Sequence, residues 1–283
     1  MRRVVRRRPT RARLQRGVII VPSALTLGNL FFGLWAVVAA TRGEFATAAW
    51  VIVIAGIADM IDGRVARVTQ TGSRFGEELD SLVDAVSFGV APAMIIYHLY
   101  LNAEPWSWIA SFIFVAGAVI RLARFNIEQG GHAKTSFHGL PSPSAGMTLA
   151  TFYPFSQTPF FQTWLGDYNW PVILIGMLVG LSGLMMSHVL YPVVPKFGFH
   201  SAKGIVTLAL MMLSLVAALT VPEYFFFPAL SIYIAYGLVK AVILGLFERL
   251  PDRDVLIDEE EEGDEAGAEL RELDYDEMRV PRA

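Results

Sequence analysis

No cysteine occurs anywhere in the 283 residues, which excludes a disulfide framework, a cysteine metal site and a thiol nucleophile. Charge is scarce as well. Asp, Glu, Lys and Arg together make up 17% of the chain, against roughly 25% in an ordinary soluble domain. Hydrophobic residues account for 54% and the mean hydropathy is +0.48, so the chain reads as an integral membrane protein. Residues 1–17 hold eight arginines and no acid at all. The apolar run that follows has no A-x-A cleavage signature and continues to about Ala40, so a retained first helix is expected rather than a cleaved leader. Residues 252–283 are the reverse: fourteen acids against four arginines, few aromatics, and E-E-E-E at 259–262. Such a stretch is expected to be a solvated tail without a packed core.

What is present is a series of apolar runs. A span of a hydrocarbon core of roughly 30 Å needs about 20 residues. Eight runs qualify, at about 19–40, 45–63, 79–100, 106–126, 143–161, 171–190, 203–221 and 225–247. The expectation is therefore an all-α, polytopic bundle of about eight transmembrane helices, with short loops and no second globular domain. It divides into a basic N-terminal segment (1–17), a transmembrane domain (18–250) and an acidic C-terminal tail (251–283). Placing the N-terminus in the cytoplasm puts Arg64, Arg67, Arg74, Arg121, Arg124, Lys134, Lys196, Lys203, Arg249 and Arg253 on that side. Only Arg42 is left outside. That asymmetry follows the positive-inside rule with both termini cytoplasmic. Trp106, Trp108, Trp164, Tyr168 and Trp170 then gather at the outward ends, as an interfacial aromatic belt would.

Against this apolar background stand four aspartates. Asp59 and Asp62 are three apart and share a helix face; Asp80 and Asp84 are four apart on the next helix. An antiparallel hairpin of the two helices brings both pairs together at the cytoplasmic end. Unpaired, two carboxylates 4 Å apart repel by roughly 4 kcal/mol at an effective dielectric of 20. Each also costs roughly 2.5–3.5 kcal/mol in a membrane helix. A cation must offset this, and all-oxygen ligands favour Mg²⁺, Mn²⁺ or Ca²⁺ over zinc. Four carboxylates suit two ions, the arrangement that steadies both the attacking and the leaving oxygen in phosphoryl chemistry. Gly63, Ala66 and Gly76 leave room beside the acids for a flat group, and Arg67 and Arg74 stand at the lip for phosphate oxygens. Metal, space and arginine together describe a pocket for a nucleotide diphosphate.

The pattern Asp59-x2-Asp62-Gly63-x2-Ala66-Arg67-x8-Gly76-x3-Asp80-x3-Asp84 resembles, without a gap, the motif of the CDP-alcohol phosphotransferase family. Eight specified positions over twenty-six residues make a chance match improbable. The resemblance implies a membrane enzyme with a six-helix core that cleaves the pyrophosphate of a CDP-linked substrate and releases CMP. It also implies two divalent metals held by the four aspartates, Asp84 as general base toward the acceptor hydroxyl, and a homodimer. P-S-A-L-T-L-G-N-L-F-F-G at 22–33, S-F-G-V-A-P-A at 87–93, R-L-A-R-F-N at 121–126, F-H-G-L-P-S-P-S-A-G at 137–146 and S-H-V-L-Y-P at 187–192 narrow the likeness. They are similar to the integral-membrane phosphatidylserine synthases of many bacteria and archaea. The similarity covers about residues 18–250.

That likeness implies CDP-diacylglycerol and L-serine as substrates. Serine is a zwitterion, so its carboxylate needs a cation. Arg121 and Arg124 can present guanidinium groups to it, and Ser87, Asn126 and Ser142 can add neutral hydrogen bonds. The same arginines are equally read as topology determinants. Asn29 faces the nucleotide or bonds another helix, His138 is a ligand or a loop anchor, and Gly176 and Gly180 allow close helix packing. The N-terminal arginines hold anionic headgroups or fix topology. Two rival functions stand beside this one. A different family acceptor (glycerol 3-phosphate, inositol phosphate or choline) would need extra cations or an aromatic cage. A divalent-cation transporter would place its acids at the bilayer midplane on broken helices.

Overall fold

The computed structural model describes residues 10–69, 74–103, 105–129, 137–187, 189–191 and 202–247. Side chains are described for all of these except 10–24, 65–69, 74, 128–129, 137–138, 190, 202–206 and 244–247. The described chain is overwhelmingly helical. α1 (Thr10–Thr41) and α2 (Phe45–Thr69) form a hairpin. α1 starts at Thr10 rather than near residue 19, so the helix runs back into the arginine-rich segment expected to be a tail. Gly43 sets the turn between them. Its φ of +77° suits a residue without Cβ, and the N–H groups of Gly43 and Glu44 bond the Ala40 and Ala39 carbonyls at 3.0 and 2.9 Å. Small side chains then let the helices close on each other: Ala36, Ala39 and Ala40 of α1 and Ala48, Ile52 and Ala55 of α2 are fully buried.

The next helix is continuous but not uniform. α3 (Arg74–Asp84) runs into a π-helical turn at Ala85–Val90, then α4 (Ala91–Ile96), then a second π turn at Tyr97–Leu101, with right-handed helical dihedrals at each join. Pro92 accounts for the first π turn. It has no N–H to donate, and its ring would strike the carbonyl four residues back, that of Phe88, so a wider turn absorbs the mismatch. The Phe88 backbone in turn meets α6 (Ser142–Ser156) at Gly146, where a Cβ would stand 2.4 Å from the Phe88 carbonyl oxygen.

α5 (Trp108–Gln129) packs on α8 (Trp170–Met186), while α6 lies between α2 and α10 (Pro222–Phe247). The fifth apolar run, expected to be one span over 143–161, is divided. Pro154 lies in the last turn of α6, Thr158 then accepts from the Phe161 N–H at 3.3 Å as an N-cap, and Pro159 opens the short α7 (Pro159–Trp164). α9 (Ala202–Thr220) packs chiefly on α10 and is exposed along most of its length. Two-residue strands β1 (Phe137–His138) and β2 (Leu190–Tyr191) pair antiparallel, Phe137 opposite Tyr191 and His138 opposite Leu190.

Four helical stretches among the described residues are long and apolar enough to cross a membrane: Phe45–Arg64, Phe75–Leu101, Trp108–Ile127 and Pro222–Ile243. Leu25–Thr41, Trp170–Met186 and Thr207–Thr220 are apolar but shorter. The molecule is a helical membrane protein. Its larger core joins Phe114 of α5, Leu149 and Phe152 of α6, and Leu174, Leu178 and Met185 of α8. An aromatic knot closes the end where α6 finishes: Phe152, Phe155, Phe161, Trp170 and Phe227 stack with centroids 4.7–5.7 Å apart. Trp106, Trp108, Trp164 and Tyr168 are exposed, as a belt requires. Trp170 differs from them: its ring is packed into the knot and its indole N–H donates to the Leu165 carbonyl at 2.7 Å.

Candidate functional site

At the other end of α6, the acid pairs of α2 and α3 meet. Asp59, Asp80 and Asp84 each offer a carboxylate oxygen, and these oxygens lie within 4.8 Å of one another. Asp84 is buried at 8% exposure, and Asp59 and Asp80 are half-buried. Ionised carboxylates at that spacing repel by about 3 kcal/mol per pair at an effective dielectric of about 20. The four-residue spacing sets Asp80 and Asp84 along one face of α3, and α1, packed on both α2 and α3, holds Asp59 against them.

Asp62 stands beside the trio rather than in it. It is within electrostatic reach of Asp59 and Asp80. One of its oxygens, Oδ2, accepts a 2.6 Å hydrogen bond from the Thr26 hydroxyl of α1. The other, Oδ1, is buried and has no hydrogen-bond partner among the described residues. The two acid pairs expected to come together do so as three converging carboxylates, with Asp62 within electrostatic reach and anchored to the first helix. The donor set fits a hard divalent cation. All the candidate ligands are carboxylate oxygens, and the unpartnered Asp62 Oδ1 is an acceptor for which no protein donor is supplied.

α1 reaches the second pair too. The Asn29 side-chain Nδ2 donates to Asp84 Oδ1 at 3.5 Å, and the Asn29 carbonyl accepts from the Ser87 hydroxyl at 3.1 Å. Asn29 Oδ1 is buried without a partner. Ser87 lies in the π turn and presses on Gly33, where a Cβ would fall 2.4 Å from its Oγ. The S-F-G-V-A-P-A stretch thus works as a unit. Pro92 imposes the wide turn, the turn presents Ser87, and Ser87 fixes the stretch of α1 that touches Asp84. Of the residues expected to cradle the nucleotide, Gly63 is exposed and Gly76 half-buried beside the acids. The side chains of Ala66, Arg67 and Arg74 lie outside the described residues.

The residues expected to meet serine divide into two groups. Arg121 is buried, donates from Nη1 to the Ser142 hydroxyl at 2.9 Å, lies 5.7 Å from the Phe125 ring centroid, and is within electrostatic reach of Asp84. Arg124 instead donates to the Met186 carbonyl at 3.3 Å, at the C-terminus of α8. Asn126 is engaged by α3: it accepts from the Ser81 hydroxyl at 2.8 Å and donates to Glu78 Oε2 at 3.1 Å. The F-H-G-L-P stretch is docked by its backbone. Gly139, at φ +79°, sits where a Cβ would be 2.4 Å from the Met185 carbonyl, and the Leu140 N–H bonds the Leu184 carbonyl at 3.0 Å. The His138 side chain is outside the described residues. On α10, Gly237 lies under the Tyr191 ring so closely that no Cβ fits, which seats the last helix against the same end.

Two contributors were not singled out from the sequence. Thr26 is one; its signal is its position three residues before Asn29 in A-L-T-L-G-N, on the same helix face. Gly33 is the other, one turn beyond Asn29 in the same stretch.

Comparison with known proteins finds relatives over most of the chain. The family model described as CDP-alcohol phosphatidyltransferase matches residues 19–186. A CDP-diacylglycerol–serine O-phosphatidyltransferase of Helicobacter pylori (strain J99) is 33% identical over 226 residues, covering 80% of this chain and 92% of the relative. The Bacillus subtilis (strain 168) protein of the same name is 34% identical over 186 residues, 65% of this chain and 95% of the relative. An archaetidylserine synthase of Methanothermobacter thermautotrophicus is 31% identical over 186 residues, 65% of this chain and 74% of the relative.

Proposed function

The chain belongs to the CDP-alcohol phosphatidyltransferase family, and from that premise we propose that it transfers the phosphatidyl group of CDP-diacylglycerol to the hydroxyl of L-serine, giving phosphatidylserine and CMP. The observation that carries the reading is the convergence of Asp59, Asp80 and Asp84, with Asp62 beside them, in a chain whose relatives across most of its length are named for this reaction. When bound, two divalent cations, Mg²⁺ or Mn²⁺ (with Ca²⁺ a further hard candidate), would neutralise the pyrophosphate and ease departure of CMP.

The chain's own groups do the rest. Asp59, Asp62, Asp80 and Asp84 would hold the two cations. Gly63, Ala66 and Gly76 form a bed for the cytidine, Asn29 faces it from α1, and Arg67 and Arg74 grip phosphate oxygens. Arg121, steadied by Ser142, holds the serine carboxylate, with Ser87 close by; Arg124 and Asn126 support them from the end of α5. Asp84 accepts the proton of the serine hydroxyl as that oxygen bonds to the phosphorus carrying diacylglycerol, and the phosphorus–oxygen bond to CMP breaks.

The lipid enters sideways from the cytoplasmic leaflet of the cell membrane, with the site at the cytoplasmic face and both termini on that side. Eight helices span the bilayer within residues 18–250. The chain works as a homodimer, as the resemblance to the family implies.

The test is direct. Purified protein supplied with CDP-diacylglycerol, labelled serine and Mn²⁺ or Mg²⁺ should release CMP and label the lipid, and EDTA should stop both. Labelling with glycerol 3-phosphate, inositol phosphate or choline in place of serine would overturn the acceptor, and turnover untouched by EDTA would overturn the metal chemistry.

A further inference from the structure

The geometry points to Thr26 as a positioning residue for the metal site, acting through Asp62; the inference rests on the function proposed above. A carboxylate on a helix has a broad, nearly two-fold torsion about its last bond, so an unrestrained Asp62 would turn either oxygen toward the other acids. The 2.6 Å bond from Thr26 Oγ1 to Oδ2 removes that freedom. Its length is that of a charge-assisted O–H···O⁻ bond. With Oδ2 committed to α1, the buried and unpartnered Oδ1 is the acceptor that Asp62 has left to offer.

The placement is systematic. Thr26 and Asn29 are three apart on α1 and share a face. The first donates to an acid of α2 and the second to an acid of α3. One helix outside the acid motif therefore sets the attitude of a carboxylate from each pair. Groups that hold a metal ligand in orientation typically change metal affinity or activity by about 10–100-fold when removed.

The experiment measures Mn²⁺ binding to the full-length protein in detergent, without substrates, from the paramagnetic resonance signal of the free ion. Thr26→Val keeps the shape and removes the donor, and should weaken Mn²⁺ binding by about tenfold or more. Thr26→Ser keeps the donor and should bind within about threefold of the native chain, which also serves if the valine variant does not fold. In an Asp62→Asn background, Thr26→Val should cost much less than in the native chain, the coupling expected of a hydroxyl that acts on the site through that carboxylate. In turnover, kcat should fall while KM for serine stays put. Native-like Mn²⁺ binding by Thr26→Val, a serine variant that binds much more weakly than the native chain, or additive losses in the double variant would each overturn the inference. If the native chain itself binds no Mn²⁺, the proposed function falls first and takes this with it.

Discussion

Among the four acids, Asp84 is set apart by the arginine beside it. It is buried, it accepts from Asn29 at 3.5 Å, and Arg121 lies within electrostatic reach. On the proposed function, a group placed between Asp59 and Asp80 on one side and Arg121 on the other is well situated to take the acceptor's proton. Asp84→Asn keeps the shape and removes that capacity. Turnover should fall by about 10²–10⁴-fold, the usual contribution of a general base, while labelled CDP-diacylglycerol still binds. A variant turning over within tenfold of the native rate would refute the base assignment. At this scale the sequence was most informative about acids and least informative about neutral partners. The shared face of Asp80 and Asp84 is readable from a four-residue spacing alone, and their meeting with Asp59 follows once the two helices are set side by side. Thr26 was invisible because a threonine in an apolar helix is ordinary. Its meaning comes from α1 crossing α2 at that depth, which no single-helix periodicity contains. The same limit applies to Asn126, whose amide meets Ser81 and Glu78 across 45 and 48 residues of sequence.

Among the elements, the apolar runs marked the helices well, and the departures have local causes. The fifth run divides because Pro154 and Pro159 cannot both continue one hydrogen-bonded ladder. The π turn at Ala85–Val90 was not legible, since period alone does not distinguish a widened turn from a straight one. It matters because it presents Ser87 to Asn29. Gly146 is what lets α6 approach that turn, and the atoms a Cβ would meet there are backbone: the Phe88 oxygen at 2.4 Å, its Cα at 2.9 Å and its carbonyl carbon at 3.0 Å. Backbone cannot rotate away as a side-chain tip can. Gly146→Ala should therefore cost about 1–3 kcal/mol, lower the thermal midpoint by several degrees, and reduce kcat through the displaced turn. Gly28→Ala on α1 is the control, since among the described residues nothing lies within 4 Å of its Cβ position, and it should not lower the midpoint. Equal midpoints for both variants, read by intrinsic fluorescence in detergent, would show that the α6 contact does not hold the turn in place.

For the whole molecule, the outstanding question is which way the site faces, and the charge distribution carries that argument. α1 has 32 residues and so is about 48 Å long, well beyond a hydrocarbon core of about 30 Å. Its excess lies at the N-terminal end, where Arg11, Arg13 and Arg16 fall. An anionic cytoplasmic leaflet would attract that end. The acids lie near the C-terminal end of α2 and in the opening turns of the continuous helix from Arg74 to Leu101, and because α1 and α2 form an antiparallel hairpin, these ends share the side of the α1 N-terminus. Because the native chain has no cysteine, single cysteines can report the arrangement without a background. Gln70→Cys and Lys134→Cys should react with a membrane-impermeant maleimide only after cells are permeabilised. Asn102→Cys and Asp167→Cys should react in intact cells. Lipid synthesis should continue in each variant, since none of the four positions belongs to the site. Labelling of Gln70→Cys from outside would turn the bundle over and strand the aspartates away from cytoplasmic serine. The positive-inside reading would then fail even if the chemistry at the acids held.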